Sequence, residues 1–260
     1  MSPTKKIIIA NWKANPTSLD QAKSLFEATV KAATQYPSVQ TVVCPPFVYL
    51  EELSTWLKSQ AGDKTVSLGV QDVWEAAGPF TGEISPEMVR GLGVQYVLVG
   101  HSDRRYKLGE SDELINRKLK AALQAGITPV LLVGEKEAED YRQDILIDQM
   151  ARDLEGLNAE EVAKVLVAYE PVWAISTSAN SRPDTPENTL EAIGMIKEIL
   201  HKNWQLNADQ LQILYGGSVN ETNAVNFLSH PEIAGAVIGG ASLKPEEFAH
   251  ILQLVNNVQK

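Results

Sequence analysis

Glu170 closes the apolar run Val165-Leu166-Val167-Ala168-Tyr169 and is followed at once by Pro171. A run of this kind is buried on both faces in a parallel sheet, so its last residues open where a pocket can form. A carboxylate in that place is a candidate base, with a strand-end ion pair as the competing role. Other reactive groups follow other short apolar runs: Asn11, Trp12 and Lys13 after the first, and Gly100, His101, Ser102 and Asp103 after the fourth. Gly216-Gly217-Ser218 and Gly239-Gly240-Ala241-Ser242 follow the last two. Paired glycines at two neighbouring turns let backbone N–H groups approach a ligand, and the helix N-termini beyond them favour an anion, which suggests a phosphate cradle. His101, opening a helix, would feel its positive end and serve as a neutral hydrogen-bond donor, or else be a buried structural histidine. Lys13 reads as a fixed positive charge facing the pocket, where a lysine is otherwise a solvated surface cation. A base, a polarising imidazole, a cation and an anion clamp suit proton abstraction beside a carbonyl on a small phosphorylated substrate.

Such residues converge only if the strands do. Short apolar runs recur about every thirty residues, each followed by a segment with helical spacing, which is the pattern of repeated βα units. The expected strands are Lys6–Ala10, Thr41–Cys44, Val66–Val70, Tyr96–Val99, Thr128–Leu132, Val165–Ala168, Ile213–Tyr215 and Gly235–Ile238. The expected helices are Ser18–Gln35, Val48–Gln60, Ser85–Gly91, Asp112–Gln124, Glu137–Leu154, Pro186–Asn203, Glu221–Leu228 and Pro245–Asn257. Thr185-Pro186-Glu187 and Ser111-Asp112 are explicit helix starts, and Gly126 reads as a stop. No linker divides the chain, so the eight units most simply form one domain over residues 1–260, an α/β fold closed as a (β/α)8 barrel of parallel strands. A doubly wound open sheet is weaker, because its glycine-rich dinucleotide fingerprint follows none of the early strands.

Bulk properties narrow the partners. With 260 residues and 44% apolar content the chain can bury a large core. A net charge of -10 argues against nucleic acid or an anionic membrane as a partner. Cys44 is the single cysteine, which excludes an intramolecular disulfide and a zinc-binding cysteine cluster and fits a reducing cytoplasm. Four scattered histidines speak against a metal site. The apolar stretch Ile7–Ala10 is too short for a signal-peptide core, and no window is long enough to span a membrane.

Six segments, in this order along the chain, resemble the triosephosphate isomerase family: Ala10–Asn15 (ANWKAN), Gly78–Ser85 (GPFTGEIS), Val99–Arg105 (VGHSDRR), Ala168–Ile175 (AYEPVWAI), Leu214–Val219 (LYGGSV) and Ile238–Lys244 (IGGASLK). The resemblance implies a TIM barrel that interconverts dihydroxyacetone phosphate and glyceraldehyde 3-phosphate without cofactor or metal. It implies Glu170 as the base that shuttles the proton, His101 as the group polarising the carbonyl while an enediolate forms, Lys13 as the offsetting charge, and Asn11 as an orienting residue. It further implies that the N–H groups of Ser176, Ser218, Gly239 and Gly240 hold the phosphate. The Gly78–Ser85 loop, with Thr81 near its tip, resembles the loop that family members insert into a partner, which implies a homodimer with Gln71 near the interface.

The sequence also departs from the family pattern. The lid after Ile175 reads Ser176-Thr177-Ser178-Ala179 where the family carries Gly-Thr-Gly-Lys, with three extra residues before Thr185. Asp103 replaces a glutamate beside the catalytic lysine, so a shorter reach is expected to loosen Lys13. Leu132 stands where a cysteine is usual after strand five, with Gly134 and Glu135 retained, and Asp72 stands where an asparagine is common. A catalytically silent barrel, or another phosphosugar isomerase or aldolase, is the alternative function.

Overall fold

The computed structural model describes residues 5–60, 65–138, 140–176, 181–207 and 211–259. Eight parallel strands form a closed barrel in chain order. They are β1 (Ile7–Asn11), β2 (Gln40–Cys44), β3 (Val66–Val70), β4 (Tyr96–Val99), β5 (Thr128–Val133), β6 (Leu166–Tyr169), β7 (Ile213–Tyr215) and β8 (Ile233–Ile238). The barrel closes where β1 pairs with β8, Ile7 against Gly235 and Ala10 against Ile238. A side chain at Gly235 would run into the carbonyl oxygen of Ile7, so only glycine allows that approach.

Strand alternation sorts the core into two layers. Ile7, Ile9, Val42, Cys44, Leu98, Val130, Leu132, Ala168, Leu214 and Val237 pack together inside the barrel. The residues between them, such as Ile8, Ala10, Val43, Val97, Val99, Leu131, Val167 and Tyr169, face the surrounding helices. Leu132 therefore lies within β5, which runs one residue beyond the expected end, and its side chain fills the barrel interior rather than the loop after it.

The helices between strands are α1 (Leu19–Gln35), α2 (Phe47–Ser59), α3 (Pro86–Gly91), α4 (Asp112–Gln124), α5 (Arg142–Asp153), α6 (Ala159–Val162), α7 (Pro186–Trp204), α8 (Ala224–Leu228) and α9 (Pro245–Val258). The expected caps are formed. Ser111 accepts from the N–H of Leu114, Thr185 accepts from that of Asn188 with Pro186 in the first turn, and Gly126 takes a positive φ of 72° just past α4. Two helices start later than their spacing suggests. Before α5 the Asp140 carboxylate accepts the Glu137 N–H, and before α8 the Asn220 side chain accepts from Thr222 and Asn223, so local turns displace the first helical turn. The short α6 was not expected; Asn158 and Glu161 close it with a reciprocal capping box. Among the described residues no helix is long and apolar enough to cross a membrane.

Candidate active site

The inward parity of each strand carries straight into the loop that follows it. Ile7 and Ile9 lead to Asn11, Ala168 leads to Glu170, Leu98 to Gly100, Val130 and Leu132 to Gly134, Leu214 to Gly216, and Val237 to Gly239. The mouth of the barrel thus receives a carboxylate and an amide among four glycines. The glycines make room: a side-chain carbon at Gly134 would sit 2.2 Å from the Glu170 carbonyl oxygen, and one at Gly216 would sit 3.1 Å from Glu170 Cβ. Glu170 is further held through its backbone, its N–H donating to the Val133 carbonyl at 2.7 Å.

A cavity of about 370 Å³ opens there, lined by Asn11, Lys13, His101, Glu170, Ser176, Ser218, Gly239 and Gly240 among others. Every residue expected at the substrate is in that lining. Glu170 and His101 are buried, and His101 Nε2 lies 3.3 Å from Glu170 Oε1. The other carboxylate oxygen accepts the Ser102 N–H at 2.8 Å. The Asp103 N–H donates to His101 Nδ1 at 3.0 Å, which makes Nδ1 an acceptor and leaves Nε2 to carry the proton. The backbone N–H, rather than the helix terminus alone, therefore sets the donor that the imidazole presents.

Lys13 adopts a left-handed backbone, φ 51°, unusual for a side chain of this size. Three contacts hold it there. Its N–H donates to Asn11 Oδ1 at 3.1 Å, and the Gln71 amide donates both to the Lys13 carbonyl at 2.7 Å and to the Cys44 carbonyl at 3.0 Å. Its ammonium meets Asp103 Oδ2 at 2.9 Å. The shorter carboxylate thus still reaches Lys13 at hydrogen-bond distance, so the expected loosening is not seen in this contact. Burial alone would raise the Asp103 carboxyl, but hydrogen bonds from Lys107 and Lys13 outweigh it and hold the group down at about 2.

On the lid side, the Ser176 N–H donates to Ser218 Oγ at 2.7 Å, so the described start of the lid already touches the glycine turn after β7. Thr177, Ser178 and Ala179, the remainder of the altered lid sequence, lie outside the described residues. Spacing had not pointed to Glu135, which is fully buried and accepts from Tyr169 Oη at 2.7 Å, Trp173 Nε1 at 2.9 Å and Arg142 Nε at 3.1 Å. It ties the two aromatic residues flanking Glu170 to the loop after β5. The Tyr169 hydroxyl is pushed well above its usual range, chiefly by burial and then by the Glu135 carboxylate. Asp72 is also buried, meeting Lys118 at 2.7 Å and Arg104 at 2.9 Å behind the site. Among the described residues no group of three or more His, Cys, Asp or Glu side chains could hold a metal ion.

This constellation coincides with a family match along nearly all of the chain: the family model described as Triosephosphate isomerase matches residues 6–255. The chain belongs to the triosephosphate isomerase family. Curated triosephosphate isomerases agree along their lengths. The protein of Dictyoglomus thermophilum is 41% identical over 254 residues, covering 96% of this chain and 99% of its own. That of Dehalococcoides mccartyi is 41% identical over 262 residues, covering 98% and 100%, and that of Aquifex aeolicus is 40% identical over 252 residues, covering 95% and 98%. Membership of the triosephosphate isomerase family makes the chain an isomerase, and the cavity at the C-terminal ends of the strands is where a barrel of this kind holds its site.

Proposed function

We propose that this chain, acting as one catalytic barrel, interconverts dihydroxyacetone phosphate and D-glyceraldehyde 3-phosphate through an enediolate. Glu170 takes the proton from one substrate carbon and returns it to the neighbouring carbon. His101 donates from Nε2 to the oxygen on which negative charge develops, and Lys13 offsets that charge and the phosphate's. Asn11 orients Lys13 and the substrate. The net change moves hydrogen within one molecule, so no cofactor or metal is required. The observation that carries this reading is the Glu170–His101 pair, 3.3 Å apart in the same cavity as Lys13 and the two glycine turns. Glu170 Oε2 accepts the Ser102 N–H while Oε1 lies 3.3 Å from His101 Nε2, which among the described residues leaves Oε1 the oxygen free of a hydrogen bond and available to substrate.

The N–H groups of Ser176, Ser218, Gly239 and Gly240 hold the phosphate in this proposal, and the contact from Ser176 to Ser218 supports placing the lid's first residue among them. The Gly78–Ser85 loop supports a homodimer. Its tip around Thr81 is exposed, with Phe80 leaning on Trp74 at 5.6 Å between ring centroids, and Val48 and Met88 are large apolar side chains left at the surface. A cytoplasmic setting follows the single buried cysteine, Cys44. Sedimentation at micromolar concentration tests the dimer.

The deciding experiment is a coupled isomerisation assay on glyceraldehyde 3-phosphate with the wild type and Glu170→Asp. Shortening the base by one methylene should lower kcat about a hundredfold. Absent wild-type activity, or a variant of equal rate, would sink the proposal. A complex with a phosphate-bearing inhibitor in which Ser176 stays far from the phosphate would remove that residue from the cradle.

A further inference from the structure

Asp103 is shared between two lysines. Its Oδ2 meets Lys13 at 2.9 Å, its Oδ1 meets Lys107 at 2.7 Å, and its backbone N–H holds His101. Lys107 stands four residues on, across the wide turn Asp103–Lys107, whose N–H groups at Arg104 and Arg105 both donate to the His101 carbonyl. The Lys107 side chain is 67% exposed, so the pair contributes little to folding. Its position beside two site residues gives it a different use.

We propose that Lys107 is a positioning residue for the isomerisation, holding the Asp103 carboxylate so that it fixes the Lys13 ammonium. This rests on the reading of Lys13 as the cation that meets the substrate. A carboxylate rotates about a broad torsion, and an aspartate must sit close to reach Lys13 at all. With one ammonium on each oxygen, the carboxylate plane is set and Oδ2 stays toward Lys13. The second cation also shares the negative charge, so Asp103 competes less with an anionic substrate for the Lys13 ammonium. Two lysines on one aspartate leave this cluster with one net positive charge, in a chain whose formal charge is -10.

Steady-state kinetics on glyceraldehyde 3-phosphate, with inorganic phosphate as a competitive probe, test this in Lys107→Met, Lys107→Arg, Asp103→Asn and the double variant Asp103→Asn/Lys107→Met. Lys107→Met should raise KM and the phosphate inhibition constant together by about two- to fivefold, the range an exposed ion pair supplies, with kcat within about twofold. Lys107→Arg should restore both. In the Asp103→Asn background, or in Asp103→Ala should that variant fold better, removing Lys107 should change nothing further. An unchanged KM in Lys107→Met would overturn the proposal. So would an equal rise in the background lacking the carboxylate, because Lys107 would then attract anions without acting through Asp103. A Lys13→Met variant separates the two readings: if it bound phosphate and turned over normally, the role of Lys13 itself would fail.

Discussion

The backbone N–H of Asp103 donates to Nδ1 of His101 at 3.0 Å, and this one contact decides what the imidazole can offer the cavity. A ring nitrogen that accepts cannot also donate, so Nε2 carries the proton, with Glu170 Oε1 3.3 Å away. Nitrogen-resolved NMR of His101 should show Nδ1 unprotonated and Nε2 protonated, and the reverse tautomer would contradict the geometry. Replacing the ring by His101→Asn should lower kcat by about 10²- to 10⁴-fold, the usual contribution of a positioned proton donor, with a smaller change in KM.

Gly134 sets the place of Glu170, the proposed base, from the end of the neighbouring strand. A methyl group there would lie 2.2 Å from the Glu170 carbonyl oxygen and 2.6 Å from its carbonyl carbon, both backbone atoms that cannot rotate away. Gly134→Ala should therefore push the end of β6 aside. We expect kcat to fall by at least about tenfold, since a displacement near 1 Å at a reacting group can cost a hundredfold, and stability to fall by about 1–3 kcal/mol. An alanine variant with wild-type kinetics would show that β6 absorbs the group without moving Glu170.

How much of this is legible in the sequence depends on range. Strands such as Tyr96–Val99 and Ile213–Tyr215 are short apolar runs between polar segments, and their limits are the expected ones. Glu170, His101 and Lys13 were legible because each follows such a run; strand parity carries Ala168 on to Glu170, whereas His101 stands one step past the inward Gly100 and still lines the cavity. Gln71 and Glu135 were not legible in their roles. Gln71 clamps Lys13 across 58 residues and Glu135 reaches Trp173 across 38, contacts that no local pattern encodes. Asp103 is a case of the same kind: counting methylenes predicts a looser Lys13, while the folded chain keeps the ammonium at 2.9 Å from Oδ2. The late start of α5 was hidden because Asp140 captures a backbone N–H that the helical spacing assigns to a first turn.

Arg105 braces the His101 turn from behind. Its guanidinium donates to the Gly100 carbonyl at 2.7 Å, the Leu132 carbonyl at 3.2 Å, Asp112 at 2.5 Å and Asp153 at 2.5 Å, with its own side chain and that of Asp153 almost fully buried. Burial raises the Asp153 carboxyl to about 7, with Arg105 pulling against that rise. Removing the guanidinium leaves Asp153 without its cation, and breaking a buried pair on one side costs about 3–5 kcal/mol. Urea unfolding of Arg105→Met should show a loss of that size. A loss below about 1 kcal/mol would mean that Asp153 finds another partner or simply takes up a proton.

Asp72 gives the fold a pH dependence that an asparagine in its place would lack. It is buried against Lys118, with Arg104 and Glu110 half-buried beside it, and burial raises its carboxyl to about 6, with Lys118 and Arg104 opposing the rise and Glu110 adding to it. The unfolded chain releases this proton near 3.9. Between about pH 4 and pH 6 the native state therefore binds more protons than the unfolded state, so this group's contribution to stability falls as pH rises through that window and is level above it. Asp72→Asn removes the titration while keeping the side-chain volume. The melting temperature of the wild type minus that of Asp72→Asn should accordingly decrease from pH 4 to pH 6.5, by roughly 4–9 °C for a chain of this size, and then stay constant. A difference that stayed flat or rose across the same window would place the Asp72 carboxyl at or below its unfolded value, with the two cations outweighing burial.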